Sequence, residues 1–258
     1  MRVDDKLLRD LDSKILAYKE RDKGTDHRKT YDEVFDRDTL MLIYDLMTNE
    51  VFDTLDFPIA TGKEGNVFRA TTHDGEYLAV KIYRMSNSTF NNIQKYIAGD
   101  ERFRNLGKNR RRTIHTWAQK EYRNLERMHV EGIRVPRPVV CTKNIIVMEF
   151  IGTDGTPAPH LREFTEMDNP QEIFDNLLAQ MKLIHSKAKL VHSDFSEYNI
   201  LMLEGEPIII DVGQAVLLTH PNSMEFLVRD VKNLARYFRK FGLSLDENEI
   251  MKSITGGL

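Results

Sequence analysis

The hydrophobic period changes several times along the chain, and each change marks an element. Leu7, Leu8, Leu11, Ile15 and Leu16 recur at helical spacing and predict a helix over Asp4 to Tyr18. A polar stretch from Asp22 to Tyr31 follows as loop. Leu40, Ile43, Leu46 and Met47 predict a second helix, with Asp38 placed to cap it. The pattern then turns to strands. Phe57 to Ala70 reads as strand, glycine-containing turn and strand, and Tyr77 to Tyr83 alternates apolar and polar residues. Trp117, Ala118, Tyr122, Leu125 and Met128 return to helical spacing, closed by Gly132 and Pro136. Asn144 to Gly152 reads as a buried strand running into a linker with Gly155, Pro157 and Pro159. Ile200 to Met202 and Ile208 to Ile210 read as strands joined by the turn Glu204-Gly205-Glu206-Pro207. Phe226, Leu227, Val231, Leu234 and Phe238 mark an amphipathic helix. No internal repeat or low-complexity tract interrupts the series.

The hairpin around Gly205 gives the pattern a chemical meaning. Asp194 lies in the loop before it, Asn199 at its start and Asp211 at its end. Phosphoryl transfer of the protein-kinase type needs this set. One carboxylate, Asp194, orients and deprotonates the acceptor hydroxyl, while the amide oxygen of Asn199 and the carboxylate of Asp211 hold a metal ion against ATP. A loop with Asp and Asn is often merely solvated; the buried strand delivering Asp211 makes the difference.

Upstream residues fit the same chemistry in the expected order. The turn Gly62-Lys63-Glu64-Gly65-Asn66-Val67 can lay backbone N–H groups over phosphates, and Lys81 on the next strand can pair with them. The turn is neither G-x-G-x-x-G nor a Walker A loop, and alone it is a weak signal. Glu121 lies at the edge of the Trp117 helix's buried face, suited to reach Lys81, with Glu126 as the competing carboxylate. Met148 would line the adenine pocket, and the backbones of Glu149 and Ile151 would bind the adenine edge. From composition alone, that strand is an ordinary core strand.

Taken together, T-G-K-E-G-N-V (61–67), A-V-K-I-Y-R (79–84), H-S-D-F-S-E-Y-N (192–199) and I-D-V-G-Q (210–214) resemble the RIO family of atypical protein kinases. Tyr96 to Asp100, Phe150 to Gly152, Pro157 to Pro159, His220-Pro221 and Arg229 to Val231 extend the resemblance to roughly residues 35 to 255. It is closest to the first branch, whose glycine loop reads S-T-G-K-E-A-N-V. Ala60 and Gly65 depart from that loop, and Gly65 is expected to loosen it. The second branch's winged helix does not fit before the first kinase-like strand. The resemblance implies an α+β, two-lobed protein-kinase-like fold with a truncated C-lobe. It also implies ATP with Mg²⁺ or Mn²⁺, a phosphoaspartate at Asp211, and work in maturation of the small ribosomal subunit.

The implied organisation is an N-terminal helical extension (1–50) on the small lobe, an N-lobe (51–148), a hinge (149–155) and a C-lobe (156–258). The N-lobe holds a flexible basic loop (84–112) and helix C (about 113–131). Asp211-Val212-Gly213 is followed almost at once by Gln214 to Leu217 and His220-Pro221, which leaves no activation segment or peptide-docking subdomains. Ser193 replaces the arginine that would receive a loop phosphate.

Composition narrows the setting. A single cysteine, Cys141, excludes a disulfide framework. No secretory segment or long apolar run is present, so a cytoplasmic protein off the membrane is expected. Net charge is −3, yet Arg102, Arg104, Lys108, Arg110, Arg111 and Arg112 form a basic run without an acid. That loop is either a solvated charge run or a contact for ribosomal RNA phosphates. Ser86, Ser88 and Thr89 are candidate autophosphorylation sites. Three activities compete: a serine/threonine protein kinase, an ATPase-driven assembly switch, and a small-molecule phosphotransferase. The glycine loop and the motif at Asp211 argue against the third.

Overall fold

The computed structural model describes residues 15, 35–86, 90, 91, 93, 97, 103 and 109–256. The helix expected over Asp4 to Tyr18 (apart from Ile15), the loop from Asp22 to Tyr31, and Ser88, Thr89, Arg102, Arg104 and Lys108 lie outside those residues. The chain divides into two compact units. One comprises residues 1–97, 103–119 and 138–150, the other 98–102, 120–137 and 151–258.

In the first unit, α1 (Arg37–Thr48) begins at Asp36, whose carboxylate accepts the Thr39 N–H at 2.8 Å. The expected cap, Asp38, is already inside the first turn, where its carboxylate cannot fold back to that N–H. It pairs with Arg111 instead, and that guanidinium holds the Asp38 carboxyl below its ordinary pKa. Leu42, Ile43, Leu46 and Met47 bury one face of α1 against Leu55, Phe68, Val80 and Val147. These four belong to an antiparallel sheet in the order β1-β2-β3-β5-β4. Its strands are β1 (Thr54–Thr61), β2 (Gly65–Thr71), β3 (Tyr77–Tyr83), β4 (Pro138–Thr142) and β5 (Ile145–Glu149). A buried carboxylate, Asp56, ties β1 to β2 by accepting from Arg69 Nε, Thr54 Oγ1 and Thr71 Oγ1 at 2.7–2.8 Å. The Arg69 guanidinium sits 4.4 Å from the Phe57 ring and 4.5 Å from the Tyr77 ring, so the charge is both paired and stacked.

The helix α2 (Arg110–Val130) divides between the units at Gln119 and Lys120. In the second unit, β6 (Gly152–Thr153) and β7 (Thr156–Pro157) form a small hairpin where a plain linker was expected. Asp154 and Gly155, at φ 51° and 75°, make its turn. The core is built on α3 (Pro170–Ser186), α4 (Ser223–Arg239) and α5 (Glu247–Thr255), with Phe174 and Phe238 edge to face at 5.6 Å. Two short ladders complete the unit. β8 (Leu190–Val191) pairs with β11 (Val216–Leu217), and β9 (Ile200–Leu203) pairs with β10 (Glu206–Ile209). Among the described residues, no helix is long and apolar enough to cross a membrane.

Candidate active site

Strand β8 delivers the chain into the Asp194 loop, and α4 holds that loop by its backbone. The buried Asp230 carboxylate accepts the Ser193 N–H at 2.8 Å and the Phe195 N–H at 3.0 Å, one on each oxygen. Arg229 donates to the Ser193 carbonyl. Ser193 sits at φ 70°, a left-handed conformation that a non-glycine residue keeps only when its surroundings impose it. The Asp194 side chain therefore projects from a peptide fixed on both sides. Burial pushes the Asp230 carboxyl up to about 7, against the two N–H bonds and Arg229, which favour its ionised form. His192 is wholly buried, and desolvation lowers its pKa to about 4, so the ring is neutral. Its Nε2 lies 3.3 Å from the Ile210 carbonyl, which can only accept, so Nε2 carries the proton. The bond links the Asp194 loop to the residue before Asp211.

The β9–β10 hairpin joins the other two groups. Ile200 pairs with Ile209, and the Ile210 N–H donates to the Asn199 carbonyl at 2.9 Å, which puts Ile210 opposite Asn199 and Asp211 one residue beyond. Strand β10 starts at Glu206, within the expected turn, because Glu204 and Gly205 at φ 53° and 86° complete the reversal in two residues. The Asn199 amide nitrogen donates to both the backbone oxygen and Oδ2 of Asp194, each at 2.9 Å. Burial raises the Asp194 carboxyl pKa, the Asn199 bond opposes that, and the nearby Asp211 charge adds to it. Asp211 is exposed and left-handed, at φ 56°, ψ 61°. The turn after it is held from α2: Lys120 Nζ donates to the Gly213 carbonyl at 2.7 Å, and Asn124 to those of Val212 and Ala215 at 2.8 and 3.3 Å.

The remaining candidates are distributed between the units. In the first, Lys81 on β3 is half-buried, opposite Val67 and Ile146, with its ammonium 5.1 Å from the Tyr83 ring centroid. Gly62, Lys63 and Glu64 form the turn between β1 and β2. The turn is closed rather than loosened at Gly65. Gly62 N–H donates to the Gly65 carbonyl and Arg84 N–H to the Glu64 carbonyl, both at 2.9 Å, while Arg84 also grips the Asn66 side chain at 2.7 Å. Gly65 is a strand residue opposite Tyr83, and a Cβ there would overlap the Ile82 carbonyl oxygen. Gly65→Ala is expected to cost about 1–3 kcal/mol in chemical denaturation. An unchanged midpoint would mean that β2 and β3 spread at no cost.

Met148 and Glu149 end β5 in the first unit, and Ile151 opens the second. The Ile151 carbonyl accepts the Ala158 N–H at 3.0 Å. On α2, Glu121 is buried and Glu126 exposed, so Glu126 is not an inward carboxylate. Of the basic run, Arg110, Arg111 and Arg112 open α2, and Arg111 is engaged by Asp38.

A model of the RIO domain matches residues 66–250. The chain belongs to the RIO family. It is 39% identical over 252 residues to the RIO-type serine/threonine-protein kinase Rio1 of Haloferax volcanii, covering 98% of this chain and 86% of that one. It is 38% identical over 244 residues to the Rio1 of Methanocaldococcus jannaschii, covering 94% and 82%. Human serine/threonine-protein kinase RIO1 is 36% identical over 231 residues, 88% of this chain but 40% of that protein. The RIO family is thus a family of serine/threonine-protein kinases, the class each of these relatives is named for. The Rio2 kinase of Chaetomium thermophilum, solved as an ADP/Mg²⁺-phosphoaspartate complex, has the same protein-kinase-like fold. Its TM-score is 0.63 at 22% identity, over 83% of this RIO chain and 66% of that one.

The donor set fits a hard divalent cation. With its nitrogen committed to Asp194, Asn199 keeps its amide oxygen, and Asp211 supplies a carboxylate, both suited to Mg²⁺ or Mn²⁺. Motif spacing pointed to neither Asp230 nor the pair Lys120 and Asn124 as supports of the site. Asp230 did leave a signal, as a carboxylate on the apolar face that Leu227, Val231 and Leu234 define.

Proposed function

We propose that this RIO chain transfers the γ-phosphate of ATP to serine and threonine hydroxyls, its own included, in maturation of the small ribosomal subunit. The carrying observation is the bond from Asn199 to Asp194 on a loop whose hairpin leads to Asp211. In this reading Asp194 accepts the proton of the acceptor hydroxyl. Asn199 and Asp211 would hold Mg²⁺ or Mn²⁺, which neutralises charge on the ATP phosphates. Lys81 would contact those phosphates, and pair with Glu121, under the loop from Gly62 to Val67. Met148, Glu149 and Ile151 receive adenine. The partner is a pre-ribosomal particle, with the basic run from Arg102 to Arg112 as its RNA contact.

A second reading makes Asp211 a phosphate acceptor, so that ATP hydrolysis switches binding to that particle. The left-handed Asp211 backbone, anchored through Lys120 and Asn124, favours it by holding an exposed carboxylate in a fixed place. The experiment is ATP turnover with and without Mg²⁺, against a generic protein acceptor and against choline and an aminoglycoside. Metal-dependent label on protein supports the kinase. Label on either small molecule alone refutes it.

A further inference from the structure

The surface next to Asp194 carries a side-chain group that the phosphoryl-transfer chemistry leaves unused. Tyr198, immediately before Asn199, is 56% exposed, an unusual position for a large ring on so constrained a loop. The guanidinium of Arg162 lies 5.3 Å from its centroid, and Arg162 is itself exposed. The arrangement is built rather than incidental. The Arg162 N–H donates to the Glu197 carbonyl at 3.1 Å, and His160 Nδ1 lies 2.8 Å from the Tyr198 carbonyl. The segment bearing Arg162 is thereby fastened to the loop through the carbonyls on both sides of the Tyr198 Cα.

Arg162 is the cation stacked on the ring, and the carboxylate of the exposed Glu163 turns back to accept the His160 N–H at 3.3 Å. Glu197 is 7% exposed, with Lys240 3.9 Å from its Oε1. Lys240 is 59% exposed at its side chain, so its ammonium can reach a second partner. Arg162 is thus a solvent-facing cation stacked on an exposed aromatic ring of the loop that carries the proposed base, while Lys240 stands between Glu197 and the Tyr237 ring.

We propose that Tyr198 and Arg162 form an acceptor-docking surface for a segment with acidic side chains near its Ser or Thr. This rests on the kinase reading and names the acceptor chemistry for the same site. The ring offers apolar contact, and the stacked guanidinium presents a fixed fork to a carboxylate. The surface would supply a means of holding a peptide in a chain expected from its sequence to lack the usual docking subdomains.

The test uses the full chain, saturating ATP and Mg²⁺, and three single-serine peptides flanked by acidic, neutral or basic residues. Phosphate transfer and ADP formation without peptide are measured for wild type, Arg162→Ala, Arg162→Glu and Tyr198→Leu. Wild type should favour the acidic peptide over the neutral one. Arg162→Ala should reduce that preference about three- to fivefold, the scale of one exposed charge contact, through KM rather than kcat. Arg162→Glu should shift preference to the basic peptide, with peptide-free ADP formation unchanged. Equal use of the three peptides by wild type, equal losses on all three, or ADP formation without transfer to any would overturn the docking surface. No ATP turnover in wild type would instead overturn the kinase reading on which it rests.

Discussion

Asp194→Ala is expected to lower phosphoryl transfer to a hydroxyl acceptor by about a thousandfold, the usual scale for removing a positioned general base. ATP affinity should change little, because no role in nucleotide binding falls to this side chain. The variant should also fold. Asp194 is part-buried, and burial already disfavours its charge. Its loss frees the Asn199 nitrogen from one of two bonds and leaves the bond to the Asp194 backbone oxygen intact. Single-turnover transfer and equilibrium nucleotide binding on the same preparation separate the two quantities. Transfer at the wild-type rate would remove Asp194 from the role of base. Lost nucleotide binding would mean that it serves the ATP phosphates instead.

Asp230→Ala should have the next largest effect, without the side chain touching substrate. Its two oxygens fix the peptides on either side of Asp194, so its loss releases Ser193 from a left-handed backbone and lets the base drift. A displacement of about 1 Å costs about a hundredfold in rate. The stability effect depends on pH. The Asp230 pKa rises on folding, to about 7, so the folded chain binds a proton more tightly than the unfolded one. Stability from this group is therefore present below the ordinary carboxylate range and is lost as pH climbs towards 7, on the order of 4 kcal/mol at most. Wild type should lose stability relative to Asp230→Ala between about pH 4 and pH 7 in urea titrations. A parallel pair of curves would show that the carboxylate is fully compensated by its N–H partners. A buried acid that weakens the fold at neutral pH is explained by what it positions.

The groups proposed to do the chemistry stand close in sequence, so their relation is local. Asp194, Asn199 and Asp211 lie on one loop and one hairpin, and strand periodicity sets how they meet. The β6–β7 hairpin was missed: the segment reads as a linker, although the Asp154-Gly155 dipeptide favours the reversal that forms it. Asp230 and Lys120 were harder to see. Their partners lie 35 to 37 and 93 residues away, and only the packing of α4 and α2 brings them in. At α1, Asp38 was the expected cap, but the cap is Asp36, two residues earlier, where the backbone is still extended. At Gly65 the lack of a side chain suggests freedom, whereas β3 approaches so closely here that a Cβ would overlap the Ile82 carbonyl oxygen.

The most direct test of the account is incubation with γ-labelled ATP and Mg²⁺, the quenched protein then divided between acid and hydroxylamine. The account predicts label on Ser or Thr that survives both treatments and is absent from Asp194→Ala. Label that hydroxylamine removes, that Asp211→Ala abolishes and that Asp194→Ala retains would contradict it and leave the phosphoaspartate switch as the chain's activity.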